Sequence, residues 1–223
     1  SSPAIKVNTQ KAFEMAGLTL PDIDYFDFYS CFPSAVQIAC EELALDHDDP
    51  RELTVTGGLP FFGGPGNNYS MHAIASMLPK LRANPTNFGL VTANGGYLSK
   101  HATGIYSAVP IEGKWEREKP SSYQSEIDQM RSPVFIEAPS GAGTIETYTV
   151  CHKRGLPDRG IIIGRTENSN HRFLANTPSD PDLFKEMISK EQIGRPGTVS
   201  SSGCLLYTSD APDEGLGVDL GGR

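Results

Sequence analysis

The sequence predicts an α/β unit followed by a small β-barrel-like domain, which we expect to be OB-like. Helical and strand-like patterns alternate over residues 1–111, an order typical of an α/β arrangement. Over residues 133–202 the pattern changes to short strands separated by turns, which indicates a barrel or sandwich. Residues 112–132 are charged and contain proline, which predicts a linker. Residues 203–223 have no helical or strand period, and we interpret them as a disordered or artefactual tail.

The first unit opens with a predicted helix from Pro3 to Ala16. Proline suits a first helical turn, and Gly17 stands where a C-terminal cap belongs. The alternation of aromatic and acidic side chains over residues 23–29 then predicts a strand. The remaining elements are predicted in this order: a helix over 33–45, a strand-like stretch over 53–55, a glycine- and proline-rich loop over 57–66, a helix after Asn68, and a buried strand over 88–93.

The second unit is predicted from shorter patterns. Residues 144–151 alternate in the manner of a strand, and a turn at 155–158 leads into a second strand containing three consecutive isoleucines. The elements predicted for this unit are strands over 144–151, 160–165, 172–175 and 194–199, and a short helix over 180–190.

Composition excludes several classes of function. With 38% hydrophobic and 21% charged residues, the chain can form a packed core. The formal net charge of −8 argues against nucleic acid or an anionic membrane surface as a main partner, because both would be repelled. No apolar run reaches the roughly 18 residues that a membrane span needs. Ser1 stands in place of a methionine at the start of a helical pattern, so we expect the chain to be truncated there.

The cysteines and histidines show no metal-binding spacing. Cys31, Cys40, Cys151 and Cys204 form no CxxC pair and have no zinc-ligand spacing with the five histidines, so we expect no metal. Such sparse cysteine usage predicts free thiols in a reducing compartment, and therefore a cytoplasmic location.

Three segments of the first unit combine glycine with polar side chains at predicted strand ends. They read DFYSCF over residues 27–32, GGLPFFGGPGNNYS over residues 57–70, and ANGGYLSKHA over residues 93–102. Ligands of open α/β sheets bind beyond the carboxyl ends of strands. Glycine lets backbone N–H groups approach a carbonyl or phosphate, and the helix after the second segment offers its positive end. The alternative is that the glycine-rich run is a plain connector.

These segments resemble the C-terminal half of thiolases, above all the sterol-carrier-protein type and its thiolase-like relatives. IDYFDFYSCFPSAV, from Ile23 to Val36, is similar to the Asn-Glu-Ala-Phe or His-Asp-Cys-Phe block of the family. GGLPFFGGPGNN lies where the family has its Gly-His-Pro loop, and ANGGY lies where it has Cys-x-Gly-Gly. Residues 133–199 resemble the additional C-terminal domain found on a branch of thiolase-like proteins.

The resemblance implies acyl transfer between coenzyme A thioesters. The family uses a nucleophilic cysteine, an activating histidine and a second cysteine as acid/base, with an oxyanion hole for the thioester oxygen. The nucleophile belongs to the N-terminal half, so the resemblance implies that this missing half is a partner and that the present chain alone is inactive. Coenzyme A thioester is expected as a substrate, and no covalently bound cofactor is expected.

Three positions depart from the family pattern. Gly64, within Gly63-Gly64-Pro65, stands in place of the activating histidine. Ala93 or Asn94 stands in place of the second cysteine, and Tyr29 stands in place of the Asn or His of the first block. Thiolase chemistry of the usual kind would therefore need substitutes for these groups.

The catalytic candidates are His101, Tyr29 and Cys31. His101 is titratable and follows the third segment, where the family keeps its acid/base thiol. Tyr29 could donate a hydrogen bond to a thioester oxygen, or could simply be a half-buried strand tyrosine. Cys31 matches the cysteine of the His-Asp-Cys-Phe block and could line an acyl pocket, or could be a small buried hydrophobe.

The candidates for substrate binding are glycines and polar side chains of the second and third segments. The asparagines could orient a carbonyl or only serve the turn, and His72 could replace the missing base or only pack on its helix. The predicted set is Gly63, Gly64, Asn67, Asn68, His72, Asn94, Gly95 and Gly96.

The leading functional hypothesis is an acyl-CoA acyltransferase of the thiolase superfamily, of which this chain is a fragment. The alternative is a non-catalytic protein that binds coenzyme A esters and has lost the catalytic histidine and second cysteine. A third class is a scaffold role for the β-rich domain.

Overall fold

The computed structural model describes residues 1–111 and 116–201, and the backbone of 217–219. The chain divides into two compact units, Ser1–Met130 and Arg131–Arg223. Within the predicted linker, residues 112–115 lie outside the described residues, and so does the predicted tail except for 217–219. In the described parts no helix is long and apolar enough to cross a membrane. Those parts also hold no cluster of three or more His, Cys, Asp or Glu side chains suited to a metal ion.

The first unit is a three-stranded sheet with helices on both faces. The sheet has the order β1-β2-β3, in which β1 runs parallel to β2 and β3 pairs antiparallel with β2. The strands are β1 (Tyr25–Asp27), β2 (Phe88–Gly95) and β3 (Lys100–Ser107), and the helices are α1 (Pro3–Ala16), α2 (Pro33–Leu43), α3 (Leu59–Phe62), α4 (Tyr69–Ala83) and α5 (Pro120–Asp128).

Helix α1 confirms the predicted helix, with Pro3 in its first turn. Gly17 ends it in the left-handed conformation at φ 66°, which glycine adopts without steric cost. The helix places Ile5 in a core that also contains Phe26 and Phe28 of the segment around β1. Both phenylalanines are fully buried, as the alternation of that segment predicts.

The opposite face of the sheet is covered by α4. Ala73, Met77 and Leu81 of this helix pack with Val91 of β2. Gly89 permits the close approach, because a Cβ there would lie 2.2 Å from Met77 Sδ. Because β1 and β2 are parallel, their carboxyl ends lie at the same edge of the sheet, between the two layers of helices.

Three elements of the first unit differ from the sequence-based expectation. Residues 100–107 form β3, because the chain folds back on β2 in a hairpin, although their mixed composition gives no strand pattern. Residues 59–62 form a single helical turn inside the run that we expected to be loop throughout. Helix α5 lies within the predicted linker, and an ion pair of 3.0 Å between Lys11 and Glu118 connects the residues before it to α1.

The second unit is a closed barrel with the strand order β4-β5-β6-β8-β7. This architecture confirms the predicted barrel-like fold, with strands longer than the sequence pattern indicates. Its elements are β4 (Gly141–Lys153), β5 (Leu156–Thr166), β6 (Arg172–Asn176), α6 (Pro181–Ser189), β7 (Pro196–Ser200) and β8 (Gly217–Asp219).

Glycines of β4 and β5 make room for the aromatic core of the barrel. A Cβ on Gly164 would lie 2.4 Å from Phe173 Cζ, and one on Gly143 would lie 3.0 Å from Phe173 Cε1. The Phe173 ring therefore occupies space that any other residue at position 164 would fill. It packs with Ile145, Ile162, Ala175, Met187 and Val199.

Candidate functional site

The ends of β1 and β2 meet because the two strands are parallel. Asp27 pairs with Val91, and the Tyr29 backbone N–H donates to Thr92 Oγ1 at 2.8 Å. The segment after β1 therefore runs beside the end of β2. Two residues further along each segment, Asn94 Nδ2 lies 3.6 Å from Cys31 Sγ. The first and third segments are thus brought together, as expected for the ends of neighbouring parallel strands.

The glycine-rich segment reaches the same edge through two contacts. The Leu59 backbone N–H donates to Ser30 Oγ at 2.8 Å. The rings of Tyr29 and Tyr69 meet edge to face with centroids 5.3 Å apart. All three segments therefore converge on residues 29–31.

A buried polar network holds this convergence, and sequence reasoning missed it. Asp27 is 0% exposed and accepts from Tyr69 Oη at 2.9 Å, from the Thr56 backbone N–H at 3.0 Å and from Thr56 Oγ1 at 2.9 Å. Burial raises the pKa of Asp27, and the hydrogen bonds from Thr56 and Tyr69 oppose that rise. The signal that could have indicated this network is Asp27 itself, a single carboxylate at the end of an aromatic-rich strand.

Tyr29, Asn94 and His101 line one small cavity at this edge. Its volume is about 20 Å³, enough for a single water-sized group. Small side chains shape the rest of the wall, namely Ala35, Ala39, Ala93 and Ala102. Asn94 Oδ1 is buried and has no hydrogen-bond partner among the described residues. The cavity can therefore hold one water-sized group beside Tyr29, Asn94 and His101.

His101 enters the cavity from β3, where it pairs with Asn94 across the hairpin. Its Nε2 lies 2.9 Å from the Leu98 carbonyl oxygen and 3.1 Å from Ser2 Oγ. Ser2 precedes the first turn of α1 and is itself buried. The imidazole is thus held between the hairpin tip and the beginning of a helix.

The other predicted residues lie outside this cavity. Cys31 borders it only through Asn94. Asn68 Nδ2 lies 3.1 Å from His72 Nε2, and the His72 ring lies tilted beside the Phe62 ring with centroids 5.4 Å apart. Asn67 is exposed. None of His72, Asn67 and Asn68 lines the cavity that Tyr29 and His101 share.

The predicted glycines serve two different turns. A Cβ on Gly64 would lie 3.0 Å from Tyr69 Cβ, which is tighter than an ordinary contact. Gly63 adopts φ 79° at the end of α3. Gly95 ends β2, and Gly96 turns the hairpin at φ 60°. None of these four glycines lines the small cavity.

Large apolar side chains are exposed along the three segments. Phe61 is 90% exposed and Tyr97 is 92% exposed, and Phe32, Phe62 and Met71 are exposed as well. A wider groove, of about 680 Å³, lies elsewhere in the first unit, along α1 and β3. None of the candidate residues lines that groove.

Comparison with known proteins identifies the family. The sequence model described as the thiolase-like protein type 1 additional C-terminal domain matches residues 122–204. A crystal structure of a monomeric SCP2-thiolase like protein type 1 from Mycobacterium smegmatis is 42% identical to this chain, with a TM-score of 0.84 over 99% of it. The chain spans 45% of the length of that protein. No curated protein matches the chain. The chain therefore belongs to the thiolase-like family whose type 1 members carry this additional C-terminal domain.

Proposed function

We propose that the full-length protein transfers acyl groups on coenzyme A thioesters and that this chain supplies the site for the thioester carbonyl. One observation carries the proposal: Tyr29, Asn94 and His101 line a single atom-sized cavity where the first and third segments meet. A carbonyl oxygen has the size that this cavity accepts.

The three side chains have complementary roles in such a reaction. The Tyr29 hydroxyl can donate a hydrogen bond to the oxygen on which negative charge develops, and so can the hydrogen of Asn94 Nδ2 that does not face Cys31 Sγ. His101 is the titratable group beside them and serves as the acid/base in place of the family's second cysteine. Cys31 holds the Asn94 amide by the 3.6 Å contact to its sulfur. The nucleophilic cysteine comes from the part of the protein that this chain does not include.

The exposed apolar side chains support a further part of the proposal. Phe61 and Tyr97 are almost fully exposed at the tips of the second and third segments. Apolar groups of this size at one edge of a site are typical of surfaces that another part of a protein covers. We assign them to contact with the N-terminal half, which would enclose the thioester.

A second candidate function is binding of coenzyme A esters without turnover. It is favoured by Gly64, which stands where the family has its activating histidine and where a Cβ would lie 3.0 Å from Tyr69 Cβ and 3.6 Å from Leu59 Cγ. That packing leaves little space for a side chain at position 64. A protein that kept the fold and lost the base would bind the thioester and leave it intact.

Steady-state thiolysis of a 3-oxoacyl-CoA by the full-length protein tests the proposal. We expect turnover that falls about 100-fold or more in His101→Gln, in keeping with general acid/base catalysis. His152→Gln is the matched control, because that histidine is exposed on the barrel and its Nδ1 lies 3.1 Å from the Val150 carbonyl oxygen. Turnover unchanged in His101→Gln would contradict the role of His101. Tight binding of the thioester by a wild-type protein without turnover would favour the second candidate.

A further inference from the structure

The hydrogen bonds of His101 determine which ring nitrogen carries a hydrogen. Nε2 lies 2.9 Å from the Leu98 carbonyl oxygen, and a carbonyl oxygen can only accept. Nε2 must therefore be protonated in both the neutral and the cationic ring. Ser2 Oγ completes the arrangement at 3.1 Å from Nε2 and 3.3 Å from the Leu98 oxygen. Its oxygen accepts from Nε2–H while its hydroxyl hydrogen is donated to the carbonyl, so every donor faces an acceptor.

The Leu98 carbonyl reaches His101 because the hairpin tip is unusually folded. Leu98 has φ 58°, a left-handed conformation that a leucine rarely adopts. Such strain persists where the surroundings enforce it, and it concentrates at functional sites. Here the left-handed turn directs the carbonyl of Leu98 back toward the ring three residues later in the chain.

We propose that Leu98 and Ser2 are positioning residues that fix His101 as the Nε2–H tautomer, so that protons enter and leave at Nδ1. This inference rests on the proposed function. A neutral imidazole carries one hydrogen, so Nδ1 holds the lone pair. Nδ1 has no hydrogen-bond partner among the described residues.

The proton balance follows from this assignment. During thiolysis, the nucleophilic cysteine of the N-terminal half attacks the 3-oxo carbonyl as a thiolate, the carbon–carbon bond breaks, and the proton on Nδ1 of the imidazolium passes to the carbon that leaves in acetyl-CoA. The coenzyme A thiol then gives its proton to Nδ1 while its sulfur attacks the enzyme-bound thioester, and the cysteine leaves as a thiolate. Nε2–H stays bonded to Leu98 and Ser2 throughout, so the ring keeps its orientation in both charge states.

Nuclear magnetic resonance of the full-length protein with ring-¹⁵N-labelled histidine tests the assignment. His101→Gln identifies the His101 signals, and long-range ¹H–¹⁵N spectra show which nitrogen bears hydrogen. We expect the Nε2–H form in the wild type. Leu98→Gly accepts the left-handed turn without strain and keeps that tautomer. Leu98→Val disfavours the turn, because β-branched residues resist positive φ, and gives a mixture of tautomers. Ser2→Ala removes one of the two acceptors of Nε2–H, and we expect it to shift the tautomer equilibrium less than Leu98→Val does.

Each outcome bears on one part of the inference. An Nδ1–H form in the wild type would overturn it, whatever the variants do. Wild-type tautomer in both Leu98→Val and Ser2→Ala would overturn the positioning role. In the thiolysis assay, we expect the Leu98→Val variant to turn over substrate about 10-fold to 100-fold more slowly than the Leu98→Gly variant, because His101 is misplaced in it. An Nε2–H wild type without turnover would contradict the proposed function while supporting the tautomer.

Discussion

At the scale of single residues, Asp27 holds the site together. It lies at the end of β1, is fully buried, and accepts from both Thr56 and Tyr69. Removing one donor leaves a buried oxygen without its partner, and such groups cost free energy. The network connects the strand end to the glycine-rich segment and to the first turn of α4, so its loss would loosen all three.

Tyr69→Phe tests this network. We expect the free energy of unfolding to fall by about 1–3 kcal/mol, because Asp27 Oδ1 loses its donor while the ring is retained. Tyr25→Phe is the control, because its hydroxyl accepts from Asn84 and Asn87 near the surface, and we expect a change below about 0.5 kcal/mol. Urea unfolding measures both. If the two variants lose the same free energy of unfolding, the buried network stabilises the fold no more than the surface contacts of Tyr25 do.

Sequence reasoning reached only part of the site at this scale. The meeting of Tyr29 with Asn94 follows from parallel strand ends, so it could be predicted from pattern alone. The contact between Asp27 and Tyr69 could not, because it joins residues 42 positions apart through tertiary packing. His72 lies beside the glycine-rich run in sequence and contacts Phe62 of that run in space, but it does not line the cavity.

At the scale of elements, a bulge in β4 organises one side of the barrel. The register shifts between Ile145 and Thr147, which leaves Glu146 unpaired in the ladder. Its carboxylate accepts from Arg172 Nη2 at 2.6 Å and from Arg165 Nη2 at 3.0 Å. Glu146 thereby links β4 to β5 and β6. These hydrogen bonds with Arg172 and Arg165 lower the pKa of Glu146 from an ordinary 4.5 to about 2.

Acid unfolding tests the Glu146 link. A carboxylate whose folded pKa is depressed contributes stability above its unfolded pKa, and the contribution is lost as pH falls. We therefore expect barrel stability to decrease between about pH 4.5 and pH 2, by about 1 kcal/mol because the group is partly exposed. Glu146→Gln should be less stable at pH 7 and should lack this part of the pH dependence. Thermal unfolding at a series of pH values measures this dependence. If the Glu146→Gln variant loses stability with falling pH as the wild type does, the assignment is wrong.

Gly164→Ala tests the packing of β5 against β6. Because the added Cβ would lie 2.4 Å from Phe173 Cζ, we expect the variant to lose about 1–3 kcal/mol of unfolding free energy. Combining it with Phe173→Leu should cost less than the sum of the two single changes, since the smaller side chain frees the space. Additive losses in chemical denaturation would show that the ring is not what excludes a side chain at position 164.

Elements with a clear local signal were predictable, and those made by long-range pairing were not. Helix α1 has proline at its start and glycine at its end, and both boundaries agree with the structure. Strand β3 has no comparable signal, because its residues become a strand only by pairing with β2. Helix α5 is polar and has no buried residue, so its sequence is typical of a linker as well.

At the scale of the whole molecule, the chain is two compact units that represent 45% of a longer relative. The first unit exposes Phe61 and Tyr97 almost completely, beside the segments that converge on the candidate site. Side chains of this size are costly to leave in water, at about 1.5–3 kcal/mol each relative to burial. The resemblance to thiolases predicts what covers them, namely the other half of the fold.

The isolated 223-residue chain is therefore expected to aggregate or to bind a separately supplied N-terminal half. The double variant Phe61→Ser, Tyr97→Ser should aggregate less and should bind that half at least 10-fold more weakly. Leu156→Ser serves as the control, because this exposed residue lies on the barrel hairpin. Light scattering and a pull-down measure the two effects. A wild-type chain that is a soluble, cooperatively folding monomer without affinity for the N-terminal half would contradict this expectation.

The most direct test of the account is the infrared spectrum of acetyl-CoA, labelled with ¹³C at its carbonyl and bound to the full-length protein. If the cavity of Tyr29, Asn94 and His101 receives the thioester oxygen, hydrogen bonds will polarise the carbonyl. The stretching frequency of the bound carbonyl should then be lower than in water, and Asn94→Leu should reverse most of that shift. A bound carbonyl with the frequency of the free thioester, unchanged by Asn94→Leu, would contradict the account.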